Sequence, residues 1–157
     1  MTRLDGNRRI ADTWRGGVVA LGNFDGFHLG HQAVVGRAVD LAKQRGVPAL
    51  VATFDPHPVR HFKPDAAPFR LTTLDQRERL FAEAGADAMI VFRFGAELAD
   101  VSADDFISEW LLGRLGVSGV VTGEDFTFGK GRSGHIDELA RIGPPLGLTA
   151  EAVGAVA

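Results

Sequence analysis

The 157-residue sequence contains no cysteine. Disulfide bonds and thiolate metal sites are therefore impossible, which agrees with a reducing compartment. The sequence also lacks an excess of positive charge, because 17 Lys and Arg residues face 20 Asp and Glu residues and the formal net charge is −3. That balance excludes the bulk electrostatic footprint of a nucleic-acid-binding protein, whereas anionic small molecules need only local positive charge.

Long apolar segments are missing as well. The first 17 residues, "MTRLDGNRRIADTWRGG", have no continuous apolar core of the kind found in signal peptides. No run approaches the roughly 20 apolar residues that span a bilayer. We therefore expect a soluble, cytoplasmic protein with no membrane partner, and the apolar content of 45% suffices for one core over residues 1–157.

Short, continuous apolar runs are present and alternate with amphipathic segments. Continuous rather than alternating apolar character is typical of strands buried on both faces, as in a parallel sheet. The predicted strands are Val18–Leu21, Pro48–Phe54, Ala88–Phe92, Val117–Thr122 and Leu148–Val156.

The segments between these runs predict helices. They are Gly30–Arg45, the segments opened by "TLDQ" (Thr73–Gln76, a capping box) and "SADD" (Ser102–Asp105), and Ile136–Ile142. We expect the second helix to bury Leu74, Leu80, Phe81 and Ala84, and the third to bury Phe106, Ile107, Trp110, Leu111 and Leu115. This alternation predicts a doubly wound, Rossmann-like α/β fold, with a parallel sheet of about five strands and helices on both faces.

One stretch, "GNFDGFHLGH" (residues 22–31), is unusually rich in glycine and histidine. It follows the predicted strand Val18–Leu21, and ligands of open α/β sheets bind beyond the carboxyl ends of strands. Glycines at 22, 26 and 30 would let the backbone approach a ligand, and the N-terminus of the following helix suits an anion, most often phosphate. The glycines alone would also fit simple turns.

His28 and His31 are spaced to lie on one side of a helix start. Three roles are compatible with this spacing: core packing residues, metal ligands together with Asp25, or hydrogen-bond donors to phosphate. A polar pair beside a glycine loop makes a poor core, and neither an HExxH motif nor a second ligand cluster is present, so we predict no protein-held metal. The third role is favoured, because donors placed where charge develops are each worth about 3 kcal/mol in a transition state.

The common phosphate-binding motifs do not match. In "GEDFTFGKGRS" (Gly123–Ser133), five residues separate Gly123 from Gly129, and Gly131 rather than Ser or Thr follows Lys130. A P-loop needs four residues and then Ser or Thr. No GxGxxG follows a predicted strand, so a different type of phosphate-binding α/β protein is indicated.

Three blocks of the sequence resemble one family. "GNFDGFHLGH" is similar to the GxFDGxHxGH signature of bacterial FAD synthetases, which belong to the HxGH nucleotidyltransferase superfamily. "TFDPHP" (Thr53–Pro58) with "PFRLTTLDQRERLF" (Pro68–Phe81) resembles the second conserved block of that family, and "VTGEDFTFGKGRSG" (Val121–Gly134) the third. The resemblance covers roughly residues 18–134.

The resemblance implies the FMN adenylyltransferase domain of a bifunctional riboflavin kinase/FAD synthetase. Such enzymes transfer AMP from ATP, with Mg²⁺, to the phosphate of FMN, giving FAD and pyrophosphate. It implies that His28 and His31 are catalytic and that the ATP site consists of Gly22, Asn23, Phe24, Asp25, Gly26, His28, Gly30 and His31.

The other two blocks are expected to contact FMN. The resemblance places Pro56, His57, Pro58, Arg60, Phe62, Asp125, Phe126 and Phe128 at the FMN site. His57 and Arg60 would meet the phosphate, and Phe62, Phe126 and Phe128 the isoalloxazine ring, while Asp125 would bond its polar edge. Each phenylalanine also fits a place in the core, and Arg60 a solvated basic strip.

The sequence departs from the family at its end. The family's ISST-x-x-R motif is absent after Arg141, and so is a riboflavin kinase domain. We therefore expect an adenylyltransferase domain that ends early, with marginal stability or homo-oligomerisation. The alternatives are a nucleotidyltransferase of the superfamily with another phosphorylated acceptor, and a nucleotide- or flavin-binding domain without turnover.

Overall fold

The computed structural model describes residues 1–24, 29–55 and 72–154, and within them six parallel strands form one sheet. Their order across the sheet is β1-β4-β3-β2-β5-β6. The strands are β1 Thr2–Asp5, β2 Val18–Leu21, β3 Ala49–Asp55, β4 Ala88–Arg93, β5 Gly119–Gly123 and β6 Thr149–Val153. The doubly wound α/β fold is confirmed.

The sheet has one strand more than predicted. The five predicted strands are present, and β1 is a sixth strand that the apolar pattern did not predict. Its sequence, "TRLD", is short and polar, and only Leu4 is shielded from solvent. An edge strand that pairs only with β4 needs no continuous apolar run, so apolar pattern alone does not reveal it.

The predicted helices are present. They are α1 Leu29–Arg45, α2 Leu74–Glu83, α4 Ala103–Asp105 and α5 Ile136–Ile142, and α4 continues as a π-helix over Phe106–Arg114. A short helix that was not predicted, α3 Ala96–Ala99, precedes α4. The capping box at Thr73 is formed, since its hydroxyl accepts from the Gln76 N–H at 3.1 Å and the Gln76 amide oxygen accepts from the Thr73 N–H at 2.8 Å. Ser102 caps α4 by accepting from the Asp105 N–H at 3.1 Å.

Helices cover both faces of the sheet and give two core layers. Val18 and Ala20 face α1 and Phe81 of α2, whereas Val19 and Leu21 face the π-helix and α5. The five apolar residues predicted to face inward after "SADD" are all buried. On α2, Phe81 is buried, but Leu74, Leu80 and Ala84 are only half-buried.

The strand order places a topological switch point at the centre of the sheet. From β2 the chain crosses through α1 to β3 on one side, whereas β5 pairs with the other side of β2. Ligands of open α/β sheets bind in the crevice that such a reversal opens at the carboxyl ends of the strands. No helix in the described ranges is both long and apolar enough to cross a bilayer.

Candidate nucleotide and flavin site

A cavity of about 340 Å³ lies at the switch point. Its wall is formed by residues 21–24 after β2, by 123–126 after β5 and by 153–154 at the end of β6, together with Gly30, His31 and Val34 of α1. The carboxyl ends of three adjacent strands and the first turn of a 17-residue helix therefore meet around one space. A helix N-terminus directed at a cavity favours negative charge there.

The backbone after β2 turns sharply at Phe24. Phe24 has φ of 54°, in the left-handed region that side chains other than glycine rarely adopt. Its ring is buried, with 2% of its surface exposed, and lies edge-to-face with His31 at 5.4 Å and with Phe81 at 5.7 Å between centroids. The conformation of Gly22–Phe24 is thus stabilised by the packing of an aromatic ring that also lines the cavity.

Asn23 is held through its carbonyl oxygen. The hydroxyl of Thr53, at the end of β3, donates to this oxygen at 2.6 Å, and Nη1 of Arg77 donates to it at 3.3 Å. Arg77 also donates to the Thr53 hydroxyl at 2.8 Å. The loop after β2 is therefore bonded both to the neighbouring strand and to α2.

The opposite wall is built by the end of β5. The Thr122 hydroxyl donates to the Leu21 carbonyl at 2.8 Å, which joins the ends of β5 and β2 below the cavity. A turn follows, closed by the Phe126 N–H donating to the Gly123 carbonyl at 3.1 Å. The Phe126 ring stacks on Phe54 of β3 at 6.1 Å, and Phe126 lines the cavity on this side.

An ion pair joins α1 to β6 beside the cavity. Arg37 Nε lies 2.5 Å from Glu151 Oε2, and a second guanidinium nitrogen lies 3.1 Å from the other carboxylate oxygen. The hydrogen bond from Arg37 lowers the pKa of the Glu151 carboxyl below its ordinary value of 4.5. The two elements that carry His31 and Val153 are thereby linked.

The wall is mixed in chemical character. Among the described residues of the wall, the acidic side chains are those of Glu124 and Asp125, and both are exposed. No cluster of three or more His, Asp or Glu side chains with the geometry of a metal site occurs in the described ranges. Two carboxylates suit Mg²⁺, which usually keeps several waters and phosphate oxygens and takes one or two carboxylates from the protein.

Seven of the predicted site residues line this cavity together. They are Gly22, Asn23, Phe24, Gly30 and His31 from the first block and Asp125 and Phe126 from the third. Phe128 is not in the wall: it is 6% exposed, its ring lies 5.4 Å from that of Phe106 and stacks at 6.3 Å beside that of Phe126, and its contact with FMN stays a prediction. Asp25, Gly26, His28, Pro56, His57, Pro58, Arg60 and Phe62 lie outside the described residues.

Thr53 and Arg77 were not predicted as part of the site. A signal for Arg77 exists in the helix periodicity, because it follows Leu74 by three residues and precedes Phe81 by four. An arginine on the inward stripe of an amphipathic helix needs bonded partners, and those partners are backbone and hydroxyl oxygens supplied by other elements.

Comparisons with known proteins agree with the three-block resemblance. The bifunctional riboflavin kinase/FMN adenylyltransferase of Pseudomonas fluorescens is 38% identical over 152 residues, covering 97% of this chain and 49% of that protein. Its counterpart in Escherichia coli strain K12 is 39% identical over 133 residues, covering 85% of this chain and 42% of that protein. The chain thus spans less than half the length of these relatives.

A solved structure described as a macrolide-efflux protein from Streptococcus pneumoniae has a TM-score of 0.83 and 24% identity, covering 99% of this chain and 52% of that one. This likeness shows the fold alone. A sequence model of FAD synthetase matches residues 10–157. The chain therefore belongs to the FAD synthetase family.

Proposed function

We propose that this domain is an FMN adenylyltransferase, which transfers AMP from ATP to the phosphate of FMN and releases FAD and pyrophosphate. The observation that carries this proposal is the cavity at the switch point, where Gly22–Phe24, Gly30 and His31 of the first block face Asp125 and Phe126 of the third. Two anionic substrates need adjacent sites, and this space is bordered by a helix N-terminus on one side and an aromatic face on the other.

The reaction needs no nucleophile from the protein. An oxygen of the FMN phosphate attacks the α-phosphorus of ATP, the bond from that phosphorus to the β-phosphate oxygen breaks, and pyrophosphate leaves. Catalysis then consists of holding both substrates in line and stabilising the charge that develops on the phosphates. His31, in the first turns of α1, supports that role as a donor to phosphate oxygens.

The remaining predicted residues complete the proposal. His28 would act with His31, while Asp25 and Gly26 would belong to the same ATP loop. Pro56, His57, Pro58, Arg60 and Phe62 would meet FMN from the second block. Asp125 would bond the polar edge of the flavin, and Phe126 would lie against its ring.

Magnesium would enter as part of the ATP complex. When bound, Mg²⁺ neutralises charge on the triphosphate and on the departing pyrophosphate. Because Asp125 is assigned to the flavin, Glu124 is the described carboxylate in the wall that would accept a hydrogen bond from the waters of Mg²⁺ or contact the ion directly.

FAD formation by the 157-residue chain tests the proposal. The chain is incubated with ATP, Mg²⁺ and FMN, and the products are separated by chromatography. We expect FAD and pyrophosphate in equal amounts, lost in His31→Ala and retained in His135→Gln, a change at an exposed histidine outside the cavity wall.

Two other outcomes would contradict it. Product formation only with another phosphorylated acceptor, or only with CTP, would show a different transferase of the superfamily. Tight binding of ADP and FMN by calorimetry with no FAD formed would show a binding domain without turnover.

A further inference from the structure

Helix α2 carries a buried arginine that the proposed reaction does not use directly. Arg77 is 2% exposed, although it stands in a helix with solvent on its other side. Its Nη1 donates to the Thr53 hydroxyl at 2.8 Å, to the Asn23 carbonyl at 3.3 Å and to the Phe54 carbonyl at 3.4 Å. Burying a guanidinium is costly unless its donors are bonded, and these three contacts offset part of that cost through Nη1.

The same helix contacts the next residue of the loop as well. Phe81, one turn after Arg77, lies edge-to-face with Phe24. Helix α2 therefore holds two consecutive loop residues, Asn23 by hydrogen bonds and Phe24 by ring contact. Thr53 of β3 adds a third contact, because its hydroxyl donates a 2.6 Å hydrogen bond to the Asn23 carbonyl.

These contacts act on a strained part of the backbone, at Phe24 with φ of 54°. A phenylalanine in the left-handed region is unfavourable and persists only where the surroundings enforce it. The Asn23 carbonyl is part of the peptide group that links Asn23 to Phe24. Hydrogen bonds donated to its oxygen therefore set the orientation of this peptide group. The Phe24 ring, placed in turn, contacts the imidazole of His31 with the two planes at 90°.

We propose that Arg77, acting with the Thr53 hydroxyl, is a positioning residue that holds Asn23 and Phe24 in this conformation and thereby orients His31 toward the nucleotide. The catalytic consequence rests on the proposed function, in which His31 donates to phosphate. The structural consequence is that His31 moves when these contacts to Asn23 and Phe24 are removed, and it does not depend on the proposed function.

The test uses two substitutions at Thr53 that differ in the hydroxyl. Thr53→Val keeps the shape and removes the donor to Asn23 and the acceptor for Arg77, whereas Thr53→Ser keeps both. Arg77→Met removes the guanidinium from the buried side of α2. Its control is Arg79→Met, on the exposed side of the same helix. If the Arg77→Met variant does not fold, the comparison of Thr53→Val with Thr53→Ser still decides the question.

The readout is the imidazole resonances of His31 by NMR, assigned with His31→Gln, because ring currents from Phe24 make them sensitive to the geometry of the pair. We expect these resonances to shift in Thr53→Val and Arg77→Met and to stay in place in Thr53→Ser and Arg79→Met. In turnover assays, kcat should fall about tenfold in the first two variants while KM for FMN stays within about twofold. A purely structural role would lower the melting temperature without moving His31.

Folded Thr53→Val with unshifted His31 resonances would overturn the proposal, and so would shifted resonances with unchanged kcat. If the wild-type chain forms no FAD, the proposed function fails, and the His31 resonances then decide the positioning role alone.

Discussion

A Cβ atom on Gly22 would lie 2.9 Å from Cζ of the buried Phe24 ring. This glycine is therefore required by the packing of a ring two residues further along the chain, in addition to any approach of a ligand to the backbone. The ring cannot move away freely, because Phe81 and His31 border it.

Substitution of Gly22 by alanine is expected to displace the Phe24 ring. We predict a loss of about 1–3 kcal/mol in the free energy of unfolding, as for other overpacked sites. We also predict a fall of at least tenfold in FAD formation, since His31 contacts the displaced ring. Gly36→Ala is the control, because a Cβ at this position of α1 meets no atom within 4 Å. It should raise stability by about 0.5–1 kcal/mol through helix propensity. Equal stability of the two variants in urea denaturation would contradict the packing argument.

Arg15 caps the C-terminal end of the π-helix. Its guanidinium donates to the carbonyls of Arg114 at 3.0 Å, Gly113 at 3.1 Å and Leu112 at 3.3 Å. The Arg114 carbonyl also accepts from the Ile10 N–H at 2.9 Å, so the guanidinium matters most at the carbonyls of Gly113 and Leu112. Because unpaired carbonyls at a helix end are costly, we predict that Arg15→Gln lowers the free energy of unfolding by about 1.5–3 kcal/mol. Arg9→Gln, which removes only an exposed ion pair with Asp12, should change it by less than about 0.5 kcal/mol. Both variants should keep KM for ATP and FMN, and a raised KM in Arg15→Gln would show that the cap also affects the site.

The Arg37–Glu151 pair predicts a specific pH dependence of stability. Because the pKa of Glu151 is lowered in the folded chain, its stabilising contribution is present above the unfolded value of about 4.5 and is lost as pH falls through the folded pKa. Glu151→Gln should therefore be less stable than wild type at neutral pH, and the difference should shrink as pH falls through the lowered pKa of Glu151. Chemical denaturation at a series of pH values measures it. Arg37→Met should show the same dependence of the stability difference on pH. The double variant should be little less stable than either single variant. A difference that stays constant with pH would refute the assignment.

Local sequence signals predicted the elements well, and long-range partners account for what was missed. The capping box at Thr73 and the start of α5 at Ile136 depend on residues a few positions apart, so the sequence is sufficient to locate them. Strand β1 depends on pairing with β4, about 86 residues away in the chain, and its own residues are mostly polar. The role of Arg77 depends on the carbonyl of Asn23, which only the assembled sheet brings near.

The residues of the candidate site also fall into those that the sequence places together and those that only the folded sheet brings together. Gly22–Phe24 and His31 share one motif, so their proximity follows from the sequence. That Asp125 and Phe126 face them follows from the pairing of β5 with β2, which places the ends of the first and third blocks at one edge of the sheet. Val153 and Gly154 carry no recognisable motif and enter the wall only because β6 pairs with β5.

The two phenylalanines of the third block should respond differently to the same change. Phe126 borders the cavity, whereas Phe128 is enclosed by Phe106 and Gly134, where a Cβ on the glycine would lie 2.5 Å from the ring. We predict that Phe126→Leu raises KM for FMN several-fold with little effect on KM for ATP, because leucine removes a ring face offered to the flavin. Phe128→Leu should instead lower the free energy of unfolding by about 1 kcal/mol and leave both KM values unchanged. Steady-state kinetics with each substrate varied in turn, together with urea denaturation, separates the two effects. A raised KM for FMN in Phe128→Leu at unchanged stability would place that ring at the flavin after all, and the aromatic face of the site would then have to include it.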